Sequence, residues 1–156
     1  MKTKKLTQGA IIATLYVILT GVSRLFSLDS GVIQVRFSEA LCILPIFTPA
    51  AVPGLFVGCL LSNILAGGIV LDVVFGSLAT LLGAIGTRIL RKNRFLAVLP
   101  PILSNAIIIP FVLSYAYGIP GSIPYFMLTV GMGEIISCGI LGIFLYSAVK
   151  KANIFN

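Results

Sequence analysis

The sequence predicts an all-α integral membrane protein, a bundle of six transmembrane helices, on three observations. Hydrophobic residues make up 58% of the 156 and charged residues only 10%, whereas a soluble domain carries about a quarter charged. With a mean hydropathy of +1.13, such a chain cannot clothe itself in polar surface. Breakers divide it into six apolar segments, and the basic residues fall in three clusters whose positions fit an even number of crossings.

Each segment has its own justification. The first, 7–26, ends at "SLDSG". It is longer than a signal-peptide core of about 7–15 residues, and no A-x-A-like site follows, so it is expected to stay as structure. The second, 32–43, holds Arg36 and Glu39 and is short of the roughly 20 apolar residues a span needs; it is expected to be tilted or shielded. "LPIFTPAAVP" then turns the chain through Pro45, Pro49 and Pro53. The third, 50–65, ends at "AGG", and the fourth, 70–90, ends in the basic "TRILRKNR". The fifth, 96–115, is broken by "YGIPGSIP", and the sixth, 125–149, stops at Lys150 and Lys151. No repeat or linker interrupts this series, so 1–156 reads as a single transmembrane domain.

The net charge of +7 is not a nucleic-acid footprint. It comes from Lys2, Lys4 and Lys5, from Arg88, Arg91, Lys92 and Arg94, and from Lys150 and Lys151, which are the two ends and one loop. Positive charge concentrates on the cytoplasmic side of membrane proteins. Six crossings place all nine of these charges there, with both termini cytoplasmic; five crossings leave one cluster or another misplaced. The expected location is the cell membrane, multi-pass.

Absences narrow the chemistry. There is no histidine, hence no imidazole base, Ser-His-Asp triad or His-ligated metal. Cys42, Cys59 and Cys138 lie inside apolar runs without C-x-x-C spacing and read as small buried side chains. No catalytic residue, cofactor or metal is predicted. There is no G-x-x-x-x-G-K-[ST] loop, so uphill work needs a partner's ATPase or an ion gradient.

The polar residues carry the functional expectation. In a six-crossing topology Arg36, Glu39, Asn63 and Asp72 fall in the outer half, with Tyr115 and Tyr125 at outer helix ends. Asn105 and Glu134 lie nearer the middle. An ionised group at the bilayer centre costs about 2.5–3.5 kcal/mol even on lenient scales, so convergence on one outward-opening cavity is expected. Blander readings stand beside this one: Arg36 and Glu39 as a packed i, i+3 ion pair, Asp72 as a helix-start carboxylate, Asn63 and Asn105 as cross-helix bonds. Glu134, in "VGMGEIIS", has no basic neighbour on its own helix. Three carboxylates around one arginine suit a ligand rich in N–H donors, such as the N1–H and 2-amino edge of a guanine, with Phe37, Tyr115 and Tyr125 as stacking faces. Small residues spaced for helix packing include Gly54 and Gly58, Ala79 and Gly83, and Cys138 and Gly142. On the first helix, Gly9, Ala10, Ala13 and Thr14 are expected either to pack internally or to seat a partner's helix.

The run "GVIQVRFSEALCILPIFTPAAVPGLFVGCLLSN", followed by "DVVFGSLATLLGA", closely resembles the QueT family, the substrate-binding (S) components of energy-coupling factor (ECF) transporters assigned to queuosine precursors. The resemblance implies an S-component fold of six helices and a site near the outer face. It also implies docking to one membrane coupling subunit and two ABC-type ATPases, with helix one presenting its small residues. The signature positions it marks are Gln34, Arg36, Glu39, Asn63 and Asp72, and the substrate it implies is a 7-deazaguanine: preQ1, preQ0 or queuine. Three alternatives remain: a stand-alone proton-coupled transporter of a nucleobase-like or vitamin-like molecule, an intramembrane enzyme, and a purely structural membrane subunit.

Overall fold

The computed structural model describes residues 2–29 and 33–155. Helix α1 is Lys2–Leu25, α2 Ala51–Leu65, α3 Val70–Ile89, α4 Arg94–Ala116 and α5 Ile123–Ala152. A short 3₁₀ helix, Phe37–Ile46, lies between α1 and α2. No strand occurs among the described residues. Four helices, α1, α3, α4 and α5, are long and apolar enough to cross a membrane, and the 3₁₀ helix and α2 are shorter apolar elements. This is a multi-pass membrane protein.

Consecutive helices pack on one another, α1 on α2, α2 on α3, α3 on α4 and α4 on α5, and the 3₁₀ helix sits between α1, α3 and α5. At about 2.0 Å per residue it extends roughly 20 Å, too short for a hydrocarbon core of about 30 Å. It survives because its neighbours cover it: every residue from Ser38 to Pro45 is buried. At its far end Arg88 Nη1 donates to the carbonyls of Pro45 (3.0 Å) and Ile46 (3.2 Å), acceptors left over where the helix stops.

Where the sequence predicts a helix over 32–43, the described part of that segment begins in extended backbone. Residue 32 lies outside the described residues, Gln34–Arg36 are not helical, and Arg36 has φ −116° and ψ 115°. Other groups supply the bonds a helix would have made. Val35 N–H donates to the Leu28 carbonyl (2.9 Å), Arg36 N–H to Ser137 Oγ (3.1 Å) and Phe37 N–H to Ser23 Oγ (2.8 Å). The strand-like stretch passes so close to α5 that a Cβ on Gly133 would run into the Gln34 carbonyl. A serine from each flanking helix thus converts the entry of segment two into a thin wall, so Arg36 and Glu39 do not share a helical face.

The expected small-residue packing is most evident between α1 and α2. A Cβ on Gly54 would stand 2.7 Å from the Gly9 carbonyl, and one on Gly58 would stand 3.0 Å from that of Ala13. Gly9 and Ala13 are therefore committed to α2, whereas Ala10 and Thr14 are exposed. Two helices change winding. Pro110 withholds an N–H from α4, whose last turn, Val112–Ala116, is π-helical; α5 is π-helical over Ile135–Leu141, directly after Glu134.

Candidate functional site

All four carboxylates of the chain gather at one end of the bundle, with Arg24 and Arg36, around two adjoining hollows. The inner hollow, about 20 Å³, is lined by Glu39, Asn105 and Glu134 among others; the outer vestibule, about 310 Å³, is lined by Asp29, Asn63 and Asp72 among others. Gln34, Arg36 and Ile109 border both. The inner space is close to the room one water needs, and the vestibule stands at the lower end of small-ligand pockets. Gly76, on the inner lining, keeps the junction narrow but open: a Cβ there would lie 2.9 Å from Asn63 Nδ2 and 3.5 Å from Asp72 Oδ1.

The two inner carboxylates differ in how fully the protein engages them. Glu39, 2% exposed, receives the Tyr16 hydroxyl on Oε1 and the Cys42 thiol on Oε2 at 3.1 Å. Among the described residues Glu134 accepts from the Cys138 thiol, 3.1 Å from Oε2, and has the Asn105 amide beside it. Glu39, Cys42 and Cys138 form the one trio of potential metal ligands among the described residues, each offering an atom within 4.8 Å of the others. Their chemistry is accounted for by thiol donors facing carboxylate acceptors, so the cysteines read from sequence as small buried side chains also quench charge.

Donors share these hollows. Gln34 and Arg36 border both, and among the described residues the ion pair within 4.0 Å is Arg24 Nε–Asp29 Oδ2, 3.5 Å. Asn105, only 4% exposed, has no acceptor within 3.5 Å of its Nδ2 among the described residues, and its amide lies beside the Glu134 carboxylate. A buried polar group left short of a full hydrogen bond costs about 1–3 kcal/mol, so Asn105 Nδ2, on the same hollow as the Arg36 guanidinium, could take a further acceptor atom there.

At the vestibule, Asp72 begins α3 and accepts from the Tyr117 hydroxyl at 2.7 Å. Tyr117 lies beyond the spanning part of α4, and burial, then the bond to Asp72, pushes its phenol above the ordinary value. It therefore stays a donor at neutral pH. Asn63 is structural in its contacts, its Nδ2 reaching the Asp72 carbonyl (3.5 Å) and Cys59 Sγ (3.7 Å) and so tying α2 to α3.

Six of the eight predicted site residues, Arg36, Glu39, Asn63, Asp72, Asn105 and Glu134, line the paired hollows. Tyr115 does not. It is 76% exposed, stacks on Phe111 with centroids 6.3 Å apart, and borders an apolar groove on the outer surface between α3 and α4. Tyr125 packs against Phe126 with the rings tilted by 59°, and neither it nor Phe37 lines the hollows. Sequence reasoning missed Tyr16, the donor to Glu39. An aromatic at helical spacing from Ile12 and Thr20 looks like core, and its partner lies 23 residues away.

A Lactococcus lactis subsp. cremoris (strain MG1363) protein, "Queuosine precursor transporter QueT", is 40% identical over 80 residues, 51% of this chain. The match spans about half of that relative, 47% of its length. No solved structure matches the chain. The QueT transporter family profile matches residues 6–151, and the chain accordingly belongs to the QueT transporter family, a family of transporters and not of enzymes.

Proposed function

We propose that this chain is the substrate-binding membrane subunit of an ECF-type importer, and that it captures a queuosine precursor of the 7-deazaguanine class from the outer side. The supporting observation is the convergence of the Arg36 guanidinium, the Asn105 amide and the Glu134 carboxylate on one hollow. A guanine edge offers the complement, a carbonyl oxygen beside N1–H and a 2-amino group, and two parallel bonds to a carboxylate are strong and directional. The name of the Lactococcus relative points to the same substrate class.

In this proposal the whole chain forms one domain with six crossings. The basic end, with both termini, faces the cytoplasm and the acidic end faces outward, as the distribution of lysine and arginine favours. The base enters through the vestibule. It reaches Glu134 when the extended Gln34–Arg36 wall moves, because an inner space of about 20 Å³ is too small for a bicyclic ring. Without a phosphate-binding loop in its sequence, the chain relies on a coupling subunit and two ABC-type ATPases for release inside. The exposed Ala10 and Thr14 face of α1 remains open for that contact, while Gly9 and Ala13 hold α1 to α2.

Calorimetric titration of the purified protein with guanine, preQ0, preQ1 and queuine tests the proposal, and saturable 1:1 binding of a deazaguanine is expected. Glu134→Gln should weaken that binding at least tenfold, about 1.4 kcal/mol, with the protein still folded. Absence of binding to all four compounds would refute the substrate class, and unchanged affinity in Glu134→Gln would remove that residue from the site. Uptake by the lone protein in liposomes, driven by a pH gradient, would refute the ATPase partnership in favour of a stand-alone transporter.

A further inference from the structure

We infer that Asp72 forms a separate subsite, selective for a positively charged substituent on the ring, and that Asp72 rather than the inner carboxylates discriminates among 7-deazaguanines. The inference rests on the proposed substrate class and assigns the site's two chambers different parts of the molecule.

The order of chemical groups along the hollows carries it. The inner chamber holds the Glu134 carboxylate and the Asn105 amide, the border holds Arg36, and the vestibule holds Asp72. Read from inside out, this is acceptor, donors, acceptor. Around the rim of a 7-substituted deazaguanine the groups run 2-amino and N1–H, then the carbonyl oxygen, then the substituent at C7. Placing the donor edge on Glu134 brings the carbonyl oxygen to Arg36 and Asn105, and the C7 substituent then points into the vestibule. Glu39 is left to the protein in this match, since the Tyr16 hydroxyl and the Cys42 thiol each donate to one of its oxygens.

Two further observations favour a cation at Asp72. The vestibule's other carboxylate, Asp29, is paired with Arg24 at 3.5 Å, whereas among the described residues Asp72 has no basic group within 4.0 Å, Arg36 lying farther off on the same vestibule, and takes the neutral Tyr117 hydroxyl on Oδ2. Its Oδ1 faces the opening that Gly76 leaves toward the inner chamber. An aminomethyl group, protonated at neutral pH, supplies three N–H donors and a charge to that oxygen. A nitrile supplies neither. The vestibule should therefore favour preQ1 over preQ0, and Tyr117 should compete with the ammonium for the carboxylate.

The test is the affinity of preQ1, preQ0 and guanine for the wild-type protein and for Asp72→Asn, Tyr117→Phe and Glu134→Gln, measured by calorimetry. Asp72→Asn is expected to lower preQ1 affinity at least tenfold while changing preQ0 and guanine by less than twofold. Tyr117→Phe, which keeps the carboxylate, should tighten preQ1 severalfold and leave guanine unchanged, and it carries the test if Asp72→Asn fails to fold. Glu134→Gln should weaken all three ligands in parallel. An Asp72→Asn variant that loses affinity equally for all three, or for none, would overturn the subsite while leaving the substrate class intact. A wild-type protein that binds none of them would overturn both.

Discussion

The two ends of the bundle handle charge in opposite ways. At the acidic end, four carboxylates and two arginines are drawn into hollows, thiols and hydroxyls, much of it inside the packed helices. At the basic end, nine lysines and arginines form no ion pair with an aspartate or glutamate among the described residues. Apart from Arg88, they spread over the surface or lie against aromatic faces, as Arg94 lies 4.8 Å from the Phe95 ring centre and Lys150 5.9 Å from that of Tyr146. In the proposed topology, charge at the basic end orients the chain in the bilayer, an effect that needs no fixed geometry. Charge at the acidic end must be held in place, because desolvated groups without partners are expensive.

Substitutions should expose that contrast, and the largest effect belongs at the acidic end. Tyr16→Phe removes a donor from a buried carboxylate; a hydrogen bond to a charged group is worth about 1.5–3 kcal/mol, so the thermal midpoint in detergent should fall clearly. Arg88→Ala tests the exception at the basic end, the cation that binds two carbonyls of the 3₁₀ helix. A loss of about 1.5 kcal/mol is expected, with faster hydrogen exchange over Phe37–Ile46. Lys150→Ala, exposed and engaged only through a ring face, should leave the thermal midpoint unmoved and alter only the fraction of chains inserted in the correct orientation. A midpoint drop for Lys150→Ala as large as that for Tyr16→Phe would erase the distinction between the ends.

The fold was legible wherever hydropathy and breakers act locally. The four long helices follow from apolar runs bounded by "SLDSG", "RKNR", "YGIP" and the terminal lysines, and α2 from the proline turn before it. Segment two was legible as short and shielded, but not as extended chain followed by 3₁₀ helix. Ser23 and Ser137, remote in sequence, supply the bonds that decide its form, and no local pattern announces them. The candidate site was legible as a set of polar residues too costly to lie idle in lipid. Its aromatic rim was not. A helical projection past Pro110 assumes an even 100° step, whereas the π turn at Val112–Ala116 resets the phase. Tyr115 thereby goes to the outer surface and Tyr117 to Asp72.

The π-helical stretch after Glu134 gives α5 a built-in gearing. Ile135–Leu141 winds more widely than its flanks while delivering Ser137 to the backbone of Arg36 and Cys138 to Glu134. Deleting one residue within it would let the helix close up in ordinary α winding with no break in its backbone. Everything beyond would then rotate by roughly 100° relative to Glu134, swinging Gly142 off the 3₁₀ helix and Tyr146 away from Phe47. The angular offset between the polar wall and the basic end is thus fixed by a single residue's worth of surplus winding.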